Sequence, residues 1–205
     1  MAEALKFYEE GNNGFTVYPI NTDGSFGEGA KIKGMISFNG TMSMEITNIA
    51  ADDDATYLPR EKPATAEGTV AFVGLTKADY AKLYNNTTDS NGVTVFGRRG
   101  TAKKVAITFN NTRVNEDGTT SENKHEFLNV TFSIPPITTQ TVQEDDNTIR
   151  PFEVPFSAQP YNYKTKDNKS DRATYVCVNS ADDAEVWGKV ADKLYIPDMD
   201  LTDLI

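Results

Sequence analysis

Hydrophobic and polar residues alternate strictly over residues 128–134, where Leu, Val, Phe and Ile are separated by Asn, Thr and Ser. A period of two is typical of a β-strand with one buried and one exposed face. Residues 42–47, 104–109 and 152–159 alternate in the same way. Weaker strand patterns occur at residues 14–20, 31–38, 55–58, 68–73, 92–97 and 172–178. The sequence therefore predicts a mainly β protein.

Pairs of turn-forming residues separate these segments. Asn39-Gly40 stands between two of them, and an Asn-Gly pair between alternating runs is a strong hairpin signal. We therefore predict that residues 32–38 pair with residues 41–47 across a two-residue turn. Asp117-Gly118 is predicted to form the tip of a longer polar loop, residues 111–124, for which the sequence indicates no role.

Two segments have helical spacing. Thr76 followed by Asp79 has the form of a capping box, which predicts a helix over residues 76–83. A second helix is predicted over residues 180–193, with Ser180 as its N-cap. Apolar residues recur at helical spacing in both segments: Tyr80, Leu83 and Tyr84 in the first, and Val186, Trp187, Val190 and Leu194 in the second.

Three stretches are unlike a protein core. Residues 50–67 combine three consecutive aspartates with two prolines, residues 161–171 are rich in Lys and Asn, and residues 195–205 contain Pro197 and three aspartates. Long irregular segments on a compact β domain are usually functional or disordered. No internal repeat and no sharp change in composition divides the chain, so we expect a single domain over residues 1–205.

The net charge of the chain is −10, from 20 basic and 30 acidic residues. Tight binding of nucleic acid, or of an anionic membrane surface, depends on cations that pair with phosphates. The acidic balance therefore argues against both. The sequence has no run of 18 apolar residues and no basic N-terminal region followed by an apolar stretch, so we expect no membrane segment and a protein made and kept in a cytosol.

The sequence holds no recognisable catalytic or metal-binding motif. One histidine, His125, and one cysteine, Cys177, leave no multi-histidine or cysteine-based metal site. We expect His125 to lie on the surface and Cys177 to be a buried structural residue. The acidic run at residues 52–54 lacks the spacing of a calcium loop, and Arg98-Arg99 is interpreted as a turn that offsets nearby acids. We therefore expect no cofactor, no metal ion and no enzymatic activity.

The order of segments resembles that of the major tail proteins of long-tailed bacteriophages. The strand of residues 42–47 runs into Ala-Ala-Asp-Asp-Asp-Ala-Thr-Tyr at residues 50–57, and family members similarly have an Ala-Asp-Asn/Asp stretch that ends in an aromatic residue. The strand of residues 68–75 and the short helix of residues 76–83 follow, and then a Gly-rich turn and a strand at residues 103–109. Last comes a pair of strands, residues 127–136 and 149–158, joined by a Thr/Gln/Glu connection.

This resemblance covers about residues 14–196 and implies the fold, the assembly and the role of the chain. The fold would be a β-sandwich or barrel-like subunit with one or two flanking helices and long extended loops. Copies would assemble into hexameric rings that stack into the non-contractile tail tube, through which DNA passes into the host. The implied partners are other copies of the chain and further tail proteins such as the tape measure and the terminator. The protein would be found in the virion, and in the host cytoplasm during assembly.

The polar sides of the alternating strands are the predicted wall of that channel. Neighbouring subunits could close their sheets into one large barrel, which would remove exposed strand edges. Uncharged or acidic walls would let DNA slide, whereas a lysine-rich wall would retain it. The residues predicted to face the lumen are Ser43, Glu45, Thr47, Asn129, Thr131, Ser133, Glu153 and Ser157.

Two of the irregular stretches are candidate arms between subunits. Residues 50–67 are a candidate inter-subunit loop, and residues 195–205 are a candidate C-terminal arm. Such segments would order on assembly. The residues predicted for contact in the loop are Asp52, Asp53, Asp54, Tyr57, Arg60 and Glu61.

Other interpretations stay open at this point. One is a β-sandwich module that binds carbohydrate or protein, which would need an exposed aromatic platform and could draw on Tyr57, Tyr161 and Tyr163. Another is a different ring-forming tail protein, such as a tail terminator. A third is a hydrolase built on two carboxylates, although no pair stands out in the sequence.

Overall fold

The computed structural model describes residues 7–51, 54–85, 88–96, 102–136, 151–199 and 201, and it gives the backbone alone for residues 49–51 and 54–59. The described part contains twelve strands and two short helices. In chain order these are β1 (Phe7–Pro19), β2 (Ala30–Lys31), β3 (Met35–Ser43), β4 (Ile46–Ala51), β5 (Asp54–Glu61), β6 (Thr65–Phe72), α1 (Lys77–Leu83), β7 (Lys104–Asn115), β8 (Thr120–Phe132), β9 (Phe152–Ala158), β10 (Tyr161–Lys164), β11 (Ser170–Ala173), β12 (Tyr175–Asn179) and α2 (Ala184–Val190). The prediction of a mainly β fold is confirmed.

Eight of the strands form one antiparallel sheet, in the order β2-β1-β7-β8-β9-β6-β3, with β12 also paired to β8. The long strand β8 has two partners on its far side. Its first half pairs with β12, from Asn123 to Phe127, and its second half pairs with β9, from Val130 to Phe132. The strand β8 therefore pairs with β7 along one edge, and with β12 and β9 in succession along the other.

The sheet folds over a core rich in phenylalanine. Phe38 of the terminal strand β3 has its ring 4.6 Å from that of Phe109, 5.1 Å from Phe127 and 5.0 Å from Phe156. These three rings come from β7, β8 and β9. Contact between the last strand of the sheet and its central strands gives the domain a barrel-like form, with the apolar positions of the alternating strands inside.

A smaller apolar cluster lies on the other face of the β1–β7–β8 layer. It contains Tyr18, Phe26, Ala106, Leu128 and Leu194, all buried. Leu194 follows α2 in the chain, so this cluster holds the C-terminal part of the described structure against the sheet.

Both predicted helices are present, although the second is shorter than predicted. At α1, Thr76 accepts from the backbone N–H of Asp79, and the Asp79 carboxylate accepts from the N–H of Thr76. This capping box confirms the sequence prediction. The helix α2 begins only at Ala184, with Asp183 as its N-cap. Residues 180–183 instead form turns around Asn179, whose side-chain oxygen accepts from the backbone N–H groups of Ala181 and Asp182.

The predicted hairpin at Asn39-Gly40 is wrong. Both residues lie within the continuous strand β3, which pairs with β6. A two-residue hairpin turn needs positive φ at its central residues, and neither residue has it. Gly40 stands opposite Gly68, where an added Cβ would lie 2.0 Å from the backbone oxygen of Asn39. The glycine signal therefore marks a close approach of two backbones.

Two stretches predicted to be irregular are hairpins. Residues 111–124 continue the ladder of β7 and β8 out to the turn at Asp117-Gly118, which confirms the turn but not the loop around it. Residues 161–171 belong mostly to the small hairpin of β10 and β11. The sequence does not predict these strands, because their side chains are mostly polar and alternation is visible only where one face of a strand is apolar.

Candidate functional site

A continuous polar face extends across four neighbouring strands of the sheet. The register places Thr131 of β8 opposite Ser157 of β9, Ser157 opposite Glu67 of β6, and Glu67 opposite Thr41 of β3. Side chains directly opposite one another in a sheet point to the same side. The outward positions on these strands are Ser37, Asn39, Thr41, Ser43, Thr65, Glu67, Thr69, Asn129, Thr131, Glu153, Pro155 and Ser157.

The charge of this face is low and negative. Its ionisable side chains on the four strands are Glu67 and Glu153, both exposed, and the outward positions described there include no Lys or Arg. The nearest cation by register is Lys104 on β7, opposite Thr131. Hydroxyls and amides make up most of the remaining surface, so this face offers phosphates no array of counter-charges.

Five of the eight residues predicted to line a lumen lie together on this face. They are Ser43, Asn129, Thr131, Glu153 and Ser157. Ser133 follows the end of β8 and donates its backbone N–H to the oxygen of Pro155, which extends the same edge.

The other two predicted lumen residues lie elsewhere. Glu45 is in the link between β3 and β4, where its carboxylate is 2.8 Å from the ammonium of Lys62. Thr47 lies on β4 opposite Arg60 of β5. The sequence pattern of residues 42–47 treats them as one strand, but the chain leaves the main sheet after Ser43.

Sequence reasoning missed the contribution of β6. Thr65, Glu67 and Thr69 alternate with Ala66, Gly68 and Val70, which is a recognisable strand pattern. The first three residues of β6 fall inside residues 50–67, which the sequence predicts to be irregular, so the predicted strand begins only at Gly68.

The candidate inter-subunit loop is a separate hairpin. The strands β4 and β5 pair with each other from Ile46↔Glu61 to Ala51↔Asp54 and form a two-stranded sheet of their own. Arg60 and Glu61 are exposed at its base, and Tyr57 lies on β5. Asp52 and Asp53 lie outside the described residues, and of Asp54 and Tyr57 the backbone alone is described.

Apolar side chains are exposed where this hairpin leaves the sheet. Met42, Met44 and Ile46 are 46%, 54% and 55% exposed. The sequence pattern predicts a buried face for these three residues, and in the single chain that prediction is wrong. They lie at the end of β3 and at the base of the hairpin, where the described chain leaves about half of each side chain exposed.

The start of the candidate C-terminal arm lies against its own domain. The backbone N–H of Tyr195 donates to the carboxylate of Glu126, and Ile196 packs on the smaller apolar cluster. The oxygen of Asp198 accepts from the N–H of Lys166. Residues 200 and 202–205 lie outside the described residues.

His125 and Cys177 both differ from expectation. The ring of His125 is partly buried, with Nε2 out of contact with solvent, and it stacks 4.9 Å from Phe109 and 6.0 Å from Tyr175, so the prediction of a surface residue is wrong. Cys177 is exposed, so the prediction of a buried thiol is also wrong. The two residues stand opposite each other as the middle pair of the β8–β12 ladder.

In the described residues, no three His, Cys, Asp or Glu side chains converge where a metal ion could bind. No helix in the described ranges is long and apolar enough to cross a membrane.

No protein-family model matches the sequence, and no curated protein matches it either.

Proposed function

We propose that this chain is a structural subunit that assembles with copies of itself into stacked rings, forming a tube through which DNA passes, as in the tail of a long-tailed phage. The observation that carries the proposal is the polar face across β3, β6, β9 and β8. It is broad and weakly acidic, and it backs directly onto the apolar core. Such a surface suits a conduit wall, because it does not retain phosphates.

The free edge of the sheet supports assembly. The sheet ends at β3, a strand of nine residues in which every position after Phe38 is exposed. Its sequence contains neither Pro nor Lys, the residues with which proteins usually protect an edge from pairing. An edge strand of this kind is best explained by a neighbour that covers it.

The hairpin of β4 and β5 provides a second contact. It extends from the sheet beside the exposed side chains of Met42, Met44 and Ile46. Covering those three side chains on another subunit would remove apolar surface from water and so favour association. As a subunit of a tail tube, the protein would be located in the virion, and its partners would include terminator and tape-measure proteins.

The alternative of an aromatic binding platform has less support. Tyr161 donates its hydroxyl to the oxygen of Gly24 and packs its ring 4.7 Å from Phe26. The Tyr161 side chain therefore packs within its own domain and is not part of an open aromatic platform. A terminator or other ring protein would share the polar face and the free edge, and differs from a tube subunit in stopping at one ring.

The test is the assembly state of the purified chain. Light scattering and negative-stain microscopy over a range of protein concentrations should reveal rings, and then tubes with a central channel. Rings that do not stack would favour a terminator. A monomer that persists at high concentration, with or without a seed of preformed tubes, would contradict the proposal.

A further inference from the structure

A cleft of about 300 Å³ opens where the apolar core meets the polar ends of β1, β7 and β8. Its lining is aromatic and apolar at Phe38, Met42, Phe109, Phe127 and Tyr175, and polar at Glu9, Asn12, Asn111 and His125. It lies away from the polar face described above, since Phe38 and Phe109 point into the core.

Asn111 brings an unsatisfied acceptor to this cleft. The residue is 8% exposed, and its side-chain oxygen has no hydrogen-bond partner among the described residues. Its amide nitrogen donates to the carboxylate of Glu9 over 2.8 Å. Turning the amide round would place two oxygens against each other, so the Glu9 carboxylate fixes the Asn111 oxygen as the free group. A buried acceptor without a partner is costly unless something else pairs with it.

Glu9 supplies a negative charge beside it. Its two carboxylate oxygens accept from the side-chain amides of Asn111 and Asn123, each over 2.8 Å. Asn123 is held in turn by Asn179, whose amide donates to the Asn123 oxygen over 2.6 Å. The carboxylate is therefore oriented by two donors and keeps lone pairs free for a third.

His125 adds a third polar atom. One ring nitrogen, Nδ1, lies 2.7 Å from the Tyr175 hydroxyl, and Nε2 is buried without a partner among the described residues. Burial lowers the pKa of His125, with an opposing contribution from Glu9, so the ring is neutral at neutral pH. When Nδ1–H donates to the Tyr175 oxygen, Nε2 becomes an acceptor.

We propose that this cleft is a binding site for a guanidinium group. A guanidinium carries only donors, which matches the free acceptors of Glu9, Asn111 and His125, and its charge complements the carboxylate. It also stacks on aromatic rings, which form the walls of the cleft. A neutral amide would bring an acceptor of its own, and an anion would be repelled by Glu9.

The group could arrive on a small molecule or on an arginine side chain of a second copy of the chain. The chemistry of recognition is the same in both cases. The site does not depend on the tube proposal, because a small guanidinium compound would occupy it in a monomer.

The test is an NMR titration of the full chain with methylguanidinium chloride at constant ionic strength. The chain has one histidine, so its ring signals identify His125 without ambiguity. We expect a saturable shift of the His125 ring and Asn111 side-chain signals, with a Kd of order 1 mM. Urea has the same shape but no charge and one acceptor, and it should cause no saturable shift at the same concentrations.

Glu9→Gln and Glu10→Gln form a matched pair of variants. The two residues are exposed neighbours on β1, and they point to opposite faces of the strand. Glu9→Gln should weaken methylguanidinium binding at least about tenfold, whereas Glu10→Gln should leave it unchanged. Equal weakening by both variants, or equal shifts with urea, would overturn the proposal.

A dilution series without additive distinguishes the two sources. Movement of the His125 signals with protein concentration, along the direction seen with methylguanidinium, would assign the group to a second copy. Shifts with the additive alone would assign it to a small molecule. Absence of both effects in the folded wild-type chain would remove the site.

Discussion

The ammonium of Lys124 lies 2.9 Å from the carboxylate of Glu126, and both side chains are almost completely buried, at 2% and 0% exposure. Each partner also holds the C-terminal part of the chain. Lys124 donates to the backbone oxygens of Val190, the last residue of α2, and of Lys193 in the segment after it, and Glu126 accepts from the N–H of Tyr195. Two charges on one strand therefore fix the position of the helix and of the segment after it.

Replacement of Lys124 should be strongly destabilising. Lys124→Met leaves the Glu126 carboxylate buried without its counter-charge, and it removes the donor to two carbonyls at the end of α2. We expect a loss of about 3 kcal/mol in the free energy of unfolding, measured with urea. The matched control is Lys62→Met, which breaks the exposed Lys62–Glu45 pair and should cost under about 0.5 kcal/mol. Similar losses in the two variants would contradict this account.

The stability of the fold should depend on pH through His125. Burial lowers the pKa of its ring below the ordinary value of 6.5, so the unfolded chain binds the proton more readily than the folded chain. His125 therefore opposes folding progressively as the pH falls through 6.5. In His125→Gln, the free energy of unfolding should fall less than in the wild type between about pH 7.5 and about pH 5.

Comparing the wild type with His125→Gln cancels the contribution of Glu126 to the pH dependence of stability, because both proteins contain Glu126. Burial raises the pKa of that carboxyl above its ordinary value of 4.5, against the opposing effect of Lys124. A raised carboxyl pKa stabilises the fold at low pH and loses that effect as the pH rises, which is the opposite slope. An NMR titration of His125 that gave an ordinary or raised pKa would refute the prediction.

The strands β3 and β6 lie so close together that Gly68 should not tolerate replacement by a residue with a side chain. Gly68→Ala places its Cβ 2.0 Å from the Asn39 backbone oxygen, which must push the edge strand away. We expect a loss of about 3 kcal/mol in the free energy of unfolding. Gly188 in α2 has open space around its Cβ position, so Gly188→Ala should instead stabilise by about 0.5–1 kcal/mol. Thermal and urea unfolding of both variants would check the contrast.

Self-assembly should depend on the apolar base of the β4–β5 hairpin. Ile46 is 55% exposed in the single chain, so Ile46→Glu should leave the monomer folded and as stable as the wild type. In an assembled state the added charge would be buried, and rings or tubes should fail to form. Val93 is similarly exposed, at 57%, away from the hairpin, and Val93→Glu serves as the control. Normal tubes from the Ile46→Glu variant would exclude this surface from the contact.

Replacing the acidic residues of the polar face with lysine should make the interior of a tube bind DNA. Glu67→Lys together with Glu153→Lys changes the charge of the polar face without touching the core. Tubes of this variant should retain duplex DNA in a salt-dependent manner, whereas wild-type tubes should not. The same change in charge at Glu10 and Glu185, which are exposed elsewhere, is the control. Equal retention by both double variants would place the face away from the DNA path.

Alternation and local capping were sufficient to predict several elements of this fold. The strands around residues 105–109, 128–132 and 152–158 are present where the period of two predicts them. The capping box of Thr76 and Asp79 begins α1, and Asp117-Gly118 forms a tight turn. Each of these signals depends on neighbours in the sequence, which the chain brings together whatever the rest of the fold does.

The sequence did not determine which strands pair or which faces are covered. Met42 has the same alternating context as Phe38, yet Phe38 lies among three rings of the core while Met42 is 46% exposed. Likewise, the sequence predicts a turn at Gly40, because its strand partner Gly68 is distant in the sequence. His125 became a cleft residue only because β1, β7 and β12 meet around it. Alternation defines which side chains share a face, but the burial of that face depends on long-range partners, and those are fixed only when the sheet closes.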